Sequence, residues 1–293
     1  MKIRKTTGNR AFDIINTALL LLLTIIMIYP LYYVLVASFS TYNSILKGNG
    51  ILLFPSEFTV EAYKLAFKNP MIIKGFGNTL FVVIVGVLVN LIITSIGAYF
   101  LSRKNVFWQK PIMILIIITM YFSGGMIPFY FAVKDLGLEN SLFALIVPTA
   151  INTFNLIIMK VSFSDIPSSI EEAVKIDGGG HFIMLFKIIL PLSKATLAVI
   201  GLYYAVSHWN AWFNAMLFLK DRSKYPIQLI LREILIQNNM NNMMSDVGAQ
   251  EANYIGETVK YAVIIISTVP ILVVYPFLQK YFTNGVMIGA VKG

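Results

Sequence analysis

Six uncharged and mostly apolar runs divide the 293 residues, and they limit the chain to a membrane fold. In order, they cover residues 14–37, 78–101, 111–133, 140–159, 195–219 and 261–278. Each run approaches or exceeds the ~20 residues that cross a hydrocarbon core of ~30 Å as a helix. Because backbone groups in lipid must be paired within the segment, we expect every run to be helical. The sequence therefore predicts an all-α, multi-pass membrane protein with six transmembrane helices and a single domain, residues 1–293.

The composition agrees with a membrane protein rather than a soluble one. Only 13% of the residues are charged, whereas a soluble domain carries about 25%. The net charge of +9 could indicate nucleic-acid binding, but cytoplasmic loops of membrane proteins are themselves rich in Lys and Arg. We therefore relate the charge to membrane topology and expect no nucleic-acid partner. The absence of cysteine excludes disulfides and thiolate chemistry.

Basic residues determine the predicted orientation. Residues 1–13 hold four basic side chains and one acid, and the turn 102–110 holds three basic side chains and no acid. Short loops rich in Lys and Arg face the cytoplasm. We therefore expect both termini and residues 165–191 on the cytoplasmic side of the cell membrane.

Residues 38–77 and 220–257 would then be outer loops, the first with one short helix near Val60–Phe67. The first apolar run could instead be a signal peptide that is cleaved near Ala37. It is longer than the about 7–15 residues of a signal h-region, so we favour an uncleaved first span.

The runs lack the residues that several functional classes require. No Asp, Glu, Lys or Arg lies within them, and carriers that are coupled to protons or ions place such residues in the membrane. The sequence also lacks a P-loop for ATP. We find no catalytic constellation and no metal-binding motif, so we expect a transport protein that is not an enzyme.

Neutral polar and aromatic side chains do occur within the runs, most densely at residues 207–214. Asn can hydrogen-bond sugar hydroxyls without bringing charge into the bilayer, and Trp rings can stack on sugar faces. The sequence thus offers a candidate substrate path: Asn152, Asn155, Trp209, Asn210, Trp212 and Asn214. The alternative is that such residues hold membrane helices to each other, and for His208 we favour this interpretation.

The segment 165–191, between the fourth and fifth runs, is charged and broken by glycine. Pro167 suits the first turn of a helix. Two Ser-x-x-Glu pairs, which begin at Ser168 and Ser169, each fit a capping box. The segment therefore predicts a short helix that is presented to the cytoplasm.

The pattern within this segment favours docking to a protein. Ile170, Ala173 and Val174 share one face of the helix, three glycines follow at 178–180, and a second helix is expected over 182–190. A helix lying on lipid is the alternative. Its acidic residues disfavour that alternative, so we expect it to fit a groove of a partner protein.

The residues of this segment carry a family resemblance. Glu172-Ala173-Val174, then Gly178, then Ile188-x-Leu190-Pro191 have the spacing of the EAA loop of ABC importer membrane subunits, with Val174 in place of Ala as the one departure. The segments IPSSIEEAVKIDG, WNAWFN and NGVMIGAVKG resemble the carbohydrate-importer branch. The segment FSGGMIPFYFAVKDLGLENSLFALIVP is similar to permeases for complex, often polysaccharide-derived oligosaccharides.

This resemblance implies a type I ABC importer permease fold with both termini in the cytoplasm. It implies that residues 165–191 form the coupling helix, which docks on an ATPase subunit, and that Glu172 pairs with a basic group there. It also implies that the tail 279–293 follows the last span and that its residues Asn284–Gly293 reach toward the ATPase. The residues expected to serve ATPase coupling are Glu171, Glu172, Ala173, Asp177, Gly178, Ile188, Leu190 and Pro191.

The resemblance also implies partners: a second homologous permease, two ATPase subunits, an extracytoplasmic sugar-binding protein and an oligosaccharide substrate. ATP and magnesium would bind the ATPase, and no cofactor would bind this chain. Two alternatives stay open. One is an ABC permease for a small solute other than sugar, and the other is a secondary carrier or channel that works without ATP.

Overall fold

The computed structural model describes residues 7–48, 50–103, 106–244 and 250–285. Within these residues the chain is helical and contains no strand, so the predicted all-α class is confirmed. Lys2, Arg4, Lys5 and Lys104, which support the predicted orientation, and the part of the tail beyond Gly285 lie outside the described residues.

Thirteen helices follow one another along the described chain. They are α1 (Thr7–Ser38), α2 (Tyr42–Lys47), α3 (Glu61–Lys68), α4 (Pro70–Ser102), α5 (Gln109–Tyr121), α6 (Met126–Asp135), α7 (Thr153–Ser164), α8 (Ser168–Ile176), α9 (His181–Leu192), α10 (Lys194–Trp209), α11 (Trp212–Phe218), α12 (Ile227–Met244) and α13 (Gln250–Gly285). Short 3₁₀ turns are formed by Leu142–Leu145, Val147–Thr149 and Arg222–Lys224, and α9 contains a π-helical turn.

Only some of the apolar runs form single helices long enough to cross a bilayer. Among the described residues, Phe12–Ser38 and α4 are each long and apolar enough to cross a bilayer as a single helix. Three bent pairs meet this condition only together: α5 with α6 at 120°, Leu142–Thr149 with α7 at 51°, and α9 with α10 at 85°. The sixth run lies wholly within α13 (Gln250–Gly285), a single helix of 36 residues. The structure thus departs from the expectation of one uninterrupted helix for each run.

Residues that disfavour a regular α-helix lie at or shortly before two of the three breaks. Gly125, between α5 and α6, has a φ of 87°, a left-handed value that glycine adopts readily. Pro148 lies in the 3₁₀ turns before α7 and has no N–H for a helical hydrogen bond. Hydropathy averages over a window and does not register such points.

Two expected loops contain more helix than the sequence indicated. The short helix expected near Val60–Phe67 is confirmed as α3. However, α4 already begins at Pro70, inside the expected loop, because proline is well suited to the first turn of a helix. Helix α12 occupies much of the expected outer loop 220–257.

The described chain divides into two compact units. The first comprises residues 1–69 and 234–268. Most side chains of α1 are exposed although the helix is strongly apolar, which is the pattern of a helix that faces lipid. Near the end of α1, Val36 and Ala37 are buried against Leu52.

The second unit comprises residues 70–233 and 269–293, and α4 is its central helix. Helix α4 is apolar all round, yet the face that it buries is rich in small and polar residues, as is typical of helix interfaces in membranes. This face includes Gly75, Thr79, Gly86, Asn90, Thr94, Ser95 and Ala98. It packs against α7 and α10.

Hydrogen bonds between side chains fix the register of α4 against α10. The hydroxyl groups of Thr94 and Tyr204 are 2.7 Å apart, and Nδ2 of Asn90 lies 3.1 Å from Nε2 of His208. The interpretation of His208 as a contact between helices is therefore confirmed.

We expect Gly86→Ala to weaken the packing of α4 on α10. A Cβ at position 86 would lie 2.6 Å from Nε2 of His208, and the hydrogen bond to Asn90 holds this ring in place. Overpacking of this kind costs about 1–3 kcal/mol. The midpoint of thermal unfolding, measured on the purified protein in detergent, should fall.

The matched control is Gly77→Ala on the same helix, where an added Cβ meets nothing within 4 Å. Alanine in a helix is favoured over glycine by roughly 0.5–1 kcal/mol, so this variant should be as stable as the native chain or more stable. Equal midpoints for the two variants would contradict the assigned packing.

Candidate functional site

Helix α8 packs with one face on the rest of the second unit, and its other face is exposed. Ile170 and Val174 pack on a core cluster that includes Phe163 of α7 and Met184 of α9. Ala173 was expected on the same face but is exposed. The inner face of α8 is therefore occupied by its own chain, and only the opposite face is free for a partner.

Glu171 is bound on the inner side of α8, although we expected it in a capping box. The helix begins after Pro167 with no hydrogen bond from a side chain to its first turn. Instead, Oε2 of Glu171 accepts a hydrogen bond from Nη1 of Arg103 at 3.0 Å, and Oε1 lies 3.0 Å from Nζ of Lys175. A buried guanidinium is a stronger partner for the carboxylate than a backbone N–H, because both groups are charged.

The pKa of the Glu171 carboxyl reflects these contacts. Burial alone would raise this pKa, but hydrogen bonds from Lys175 and Arg103, together with their positive charges, hold it below its ordinary value of 4.5. Glu171 is therefore ionised at neutral pH and remains available as the anionic partner of Arg103.

A glycine elbow ends α8 in the geometry of a Schellman motif. Gly178 has a φ of 73°, its N–H donates to the carbonyl of Lys175 at 3.1 Å, and the N–H of Gly179 donates to the carbonyl of Val174 at 2.8 Å. This pair of bonds with a left-handed residue between them terminates helices sharply. Gly178 is required for its φ alone, since a Cβ there would meet nothing within 4 Å.

Gly179 is required for a different reason, which is space. A Cβ at position 179 would lie 2.6 Å from Cγ1 of Val174 and 3.0 Å from its carbonyl oxygen. The chain therefore turns back closely on the last turn of α8 before α9 begins.

The end of α4 contacts the segment on both sides of the elbow. The hydroxyl of Tyr99 lies 2.8 Å from Nδ1 of His181, which begins α9. The guanidinium of Arg103 lies 5.2 Å from the centre of the Tyr99 ring. A small cavity of about 80 Å³ lies between α4, α8 and α9 and is lined by Tyr99, Glu171, Val174, Lys175, Gly179, Gly180, His181 and Met184.

Sequence reasoning missed Tyr99, Arg103, Lys175 and His181. Arg103 was used only as evidence for orientation, although it is the first basic residue after a predicted span. A basic residue at that position and acids in the next cytoplasmic segment were a usable signal for an ion pair.

The exposed side of the segment carries the residues that remain available to a partner. Glu172 and Asp177 are exposed, and Ile176 has 86% of its surface accessible. Phe182, just beyond the elbow, is 79% exposed and stacks on Phe186. An exposed patch that combines acids with large apolar side chains is typical of a protein contact surface.

The other predicted coupling residues lie in or beside the π-helical turn of α9, Met184–Ile189. Ile188 and Leu190 pack partly against the core cluster, whereas Pro191 is exposed. These residues lie just before the 85° bend of α9 into α10.

The two asparagines of the candidate substrate path lie at the start of α7. Oδ1 of Asn152 accepts a hydrogen bond from the N–H of Asn155 at 3.1 Å and so caps the helix. The N–H of Asn152 donates to the hydroxyl of Tyr204 at 3.0 Å. Asn155 is buried. The capping oxygen of Asn152 is thus used within the fold.

The remaining path residues surround the break between α10 and α11. Trp209 is buried and packs edge-on against Phe76. Asn210 caps the end of α10 and donates from Nδ2 to the carbonyl of Val206 at 2.9 Å. The guanidinium of Arg232 lies 4.1 Å from the centre of the Trp212 ring, and Asn214 is half-buried on α11.

The six path residues line neither of two cavities in the described part of the chain. The larger one, about 460 Å³, is formed at the bend between α5 and α6 by Ser123, Gly124, Gly125, Met126, Pro128, Phe129, Ala132 and Phe213. Phe213, a neighbour of the predicted residues, is the one member of the 207–214 cluster that lines it.

Comparison with known proteins gives close relatives over nearly the whole chain. No family model matches. The polygalacturonan/rhamnogalacturonan transport system permease protein YtcP of Bacillus subtilis is 44% identical over 286 residues, which are 97% of this chain and 99% of the relative. Protein LplC of the same organism is 42% identical over 98% of this chain and 97% of the relative.

A solved structure agrees with these relatives. The crystal structure of a bacterial ABC transporter involved in the import of the acidic polysaccharide alginate contains a chain of 33% sequence identity. It matches with a TM-score of 0.88 and covers 96% of this chain and 100% of that chain. The helical architecture, the EAA-type elbow at Gly178 and these relatives agree, and the chain belongs to the family of carbohydrate ABC transporter permease subunits.

Proposed function

We propose that this chain is one of two membrane subunits of an importer that passes an acidic oligosaccharide into the cytoplasm. The observation that carries the proposal is α8, whose inner face is fixed to the second unit while its outer face presents Glu172, Ile176 and Asp177. A short helix held in this way can receive movement from a partner and transmit it as a rigid body.

The partner in this proposal is an ATPase subunit. Glu172 pairs with a basic group at the edge of its groove, and Ile176 and Phe182 enter the apolar part. ATP and magnesium bind the ATPase, and this chain supplies no residue for hydrolysis. A second permease subunit and an extracytoplasmic binding protein complete the transporter. Both termini and α8 face the cytoplasm, with six spans between the termini.

The cargo is inferred from relatives and from the chemistry of the chain. Polygalacturonan is a polymer of an acidic sugar, and the solved relative serves an acidic polysaccharide. Near the candidate path, Arg232 stacks on Trp212. A guanidinium beside an aromatic ring suits a sugar carboxylate, since arginine can bind both carboxylate oxygens and the ring can stack on the sugar.

Reversal of charge at Glu172 tests the ATPase contact. Glu172→Lys should prevent the ATPase subunit from copurifying with this chain, because like charges would then face each other in the groove. The control is Asp135→Lys, an exposed acid on α6, which lies far from α8 in the chain and should leave copurification intact. Retention of the ATPase by Glu172→Lys in amounts equal to the control would refute the contact.

Substitution at Gly178 tests the elbow. Gly178→Val should abolish uptake while membrane insertion is kept, because a β-branched residue with a φ of 73° costs about 1–2 kcal/mol or more. Gly178→Asn should retain more uptake, since Asn tolerates this conformation better. Gly180→Val is the control, because its φ is −82° and an added Cβ meets nothing within 4 Å. Normal uptake by Gly178→Val would exclude a coupling role for the elbow.

Matched cargoes test the substrate class. The complete transporter in proteoliposomes should import oligogalacturonides faster than the same oligosaccharides after reduction of their carboxyl groups, which keeps length and linkage but removes charge. Uptake that is equal for both would refute an acidic cargo. Preferential uptake of amino acids or phosphate would support the non-sugar permease, and uptake without ATP would support a secondary carrier.

A further inference from the structure

Arg103 connects the end of α4 to the coupling segment, and each nitrogen of its guanidinium donates a hydrogen bond. The residue is 9% exposed. Nη1 donates to Oε2 of Glu171 at 3.0 Å, Nη2 donates to the carbonyl of Phe163 at 2.8 Å, and Nε donates to Oγ of Ser102 at 3.1 Å. One guanidinium therefore joins the end of α4, the end of α7 and the inner face of α8.

The ion pair between Arg103 and Glu171 is the stronger of the two that Glu171 makes. The Lys175 side chain is 62% exposed, whereas that of Arg103 is 10% exposed. Exposed pairs on one helix contribute little because water screens them. Loss of one partner from a buried pair leaves an uncompensated charge away from water. The position of α8 therefore depends on Arg103 far more than on Lys175.

The connectivity of the chain gives this pair a mechanical role beyond local stability. Along the chain, α8 is joined directly to α7 and, through the elbow and α9, to α10. Helix α4 has no such connection, although it is the central helix against which both α7 and α10 pack. Movement of α8 can reach α4 directly only through side chains, and the charged contact is Arg103 with Glu171.

A second contact restrains the other side of the elbow. Tyr99, one turn before Arg103, bonds His181 at the start of α9 and supports the guanidinium with its ring. The last turn of α4 therefore holds both α8 and α9. A displacement of α8 cannot be absorbed by bending at Gly178 while both contacts are intact.

We infer that Arg103 is a positioning residue that locks the coupling helix α8 to the end of α4, so that movement imposed on α8 is passed directly to the central helix. This inference rests on the proposed coupling role of α8. The buried pair is the point of transmission, and the exposed acids Glu172 and Asp177 belong to the partner-facing side.

The test measures transport per ATP hydrolysed in the assembled transporter. Arg103→Lys keeps the charge but loses the fork that reaches three elements, and Glu171→Gln keeps the shape but loses the charge. Both variants should assemble with the ATPase and hydrolyse ATP, while transport per ATP falls by roughly twofold to thirtyfold, the range for residues of a coupling network. Lys134→Gln, an exposed basic residue on α6 outside the coupling segment, is the control and should behave as the native chain.

Exchange of the two charges separates transmission from simple loss of a contact. Arg103→Glu and Glu171→Arg alone should each uncouple transport, and the double variant should recover only the part that depends on the charge pair, because it does not restore the bonds to Ser102 and to the Phe163 carbonyl. If the single-charge reversals do not fold, the two conservative variants decide the question. Unchanged transport per ATP in both Arg103→Lys and Glu171→Gln, with or without a lower thermal midpoint, would overturn the inference and leave a purely structural ion pair.

The outcome is distinguishable from a failure of the proposed function. If the native chain does not copurify with an ATPase, the proposed function fails, and the role inferred for Arg103 fails with it. If the native transporter is coupled and Glu172→Lys loses the ATPase while the Arg103 variants transport normally, only the role of Arg103 fails.

Discussion

A polar group that is buried without a partner costs about 2–7 kcal/mol in an apolar environment, and the second unit is arranged around this constraint. Nδ2 of Asn90 and the hydroxyl of Thr94, on the buried face of α4, bond His208 and Tyr204 of α10, whereas Oδ1 of Asn90 is the one side-chain oxygen or nitrogen found buried without a partner among the described residues. A shift of α4 by one turn would leave the bonded groups unpaired, so the register of the two helices is fixed. The same constraint is stronger at Arg103, because a charge is buried there.

Much of the fold could be predicted from the sequence, since uncharged runs of this length must be helical in lipid. The bends could not, because hydropathy is an average over a window and carries no directional information. The glycines before α6 were visible, but glycine is also common in straight membrane helices. Whether it ends a helix depends on its φ, which the sequence does not state. The start of α4 at Pro70 was not predicted, because residues 38–77 were assigned to an outer loop from their polar composition.

The candidate site was predictable where its requirements are local. The elbow at Gly178 depends on the turns beside it, so spacing within one segment was sufficient. The partner of Arg103 lies 68 residues away in the chain, and no local pattern marks a contact between separate segments. The substrate path stays a prediction for a related reason. Residue type indicates which bonds Asn152 or Trp209 can make, but the fold decides whether those groups are already used within the chain.

The elbow at Gly178 and the ion pair between Arg103 and Glu171 together limit how α8 can move. Gly178 holds a left-handed φ, Gly179 lies against Val174, and two backbone hydrogen bonds close the turn, so the angle between α8 and α9 has little freedom. Beyond it, the N–H of Ser193 lies within bonding distance of two carbonyls at the bend into α10. A flexible hinge at either point would dissipate a displacement. Since both turns are tied and Arg103 bonds α8 to α4, we expect a push on the exposed face of α8 to move the helices of the second unit together.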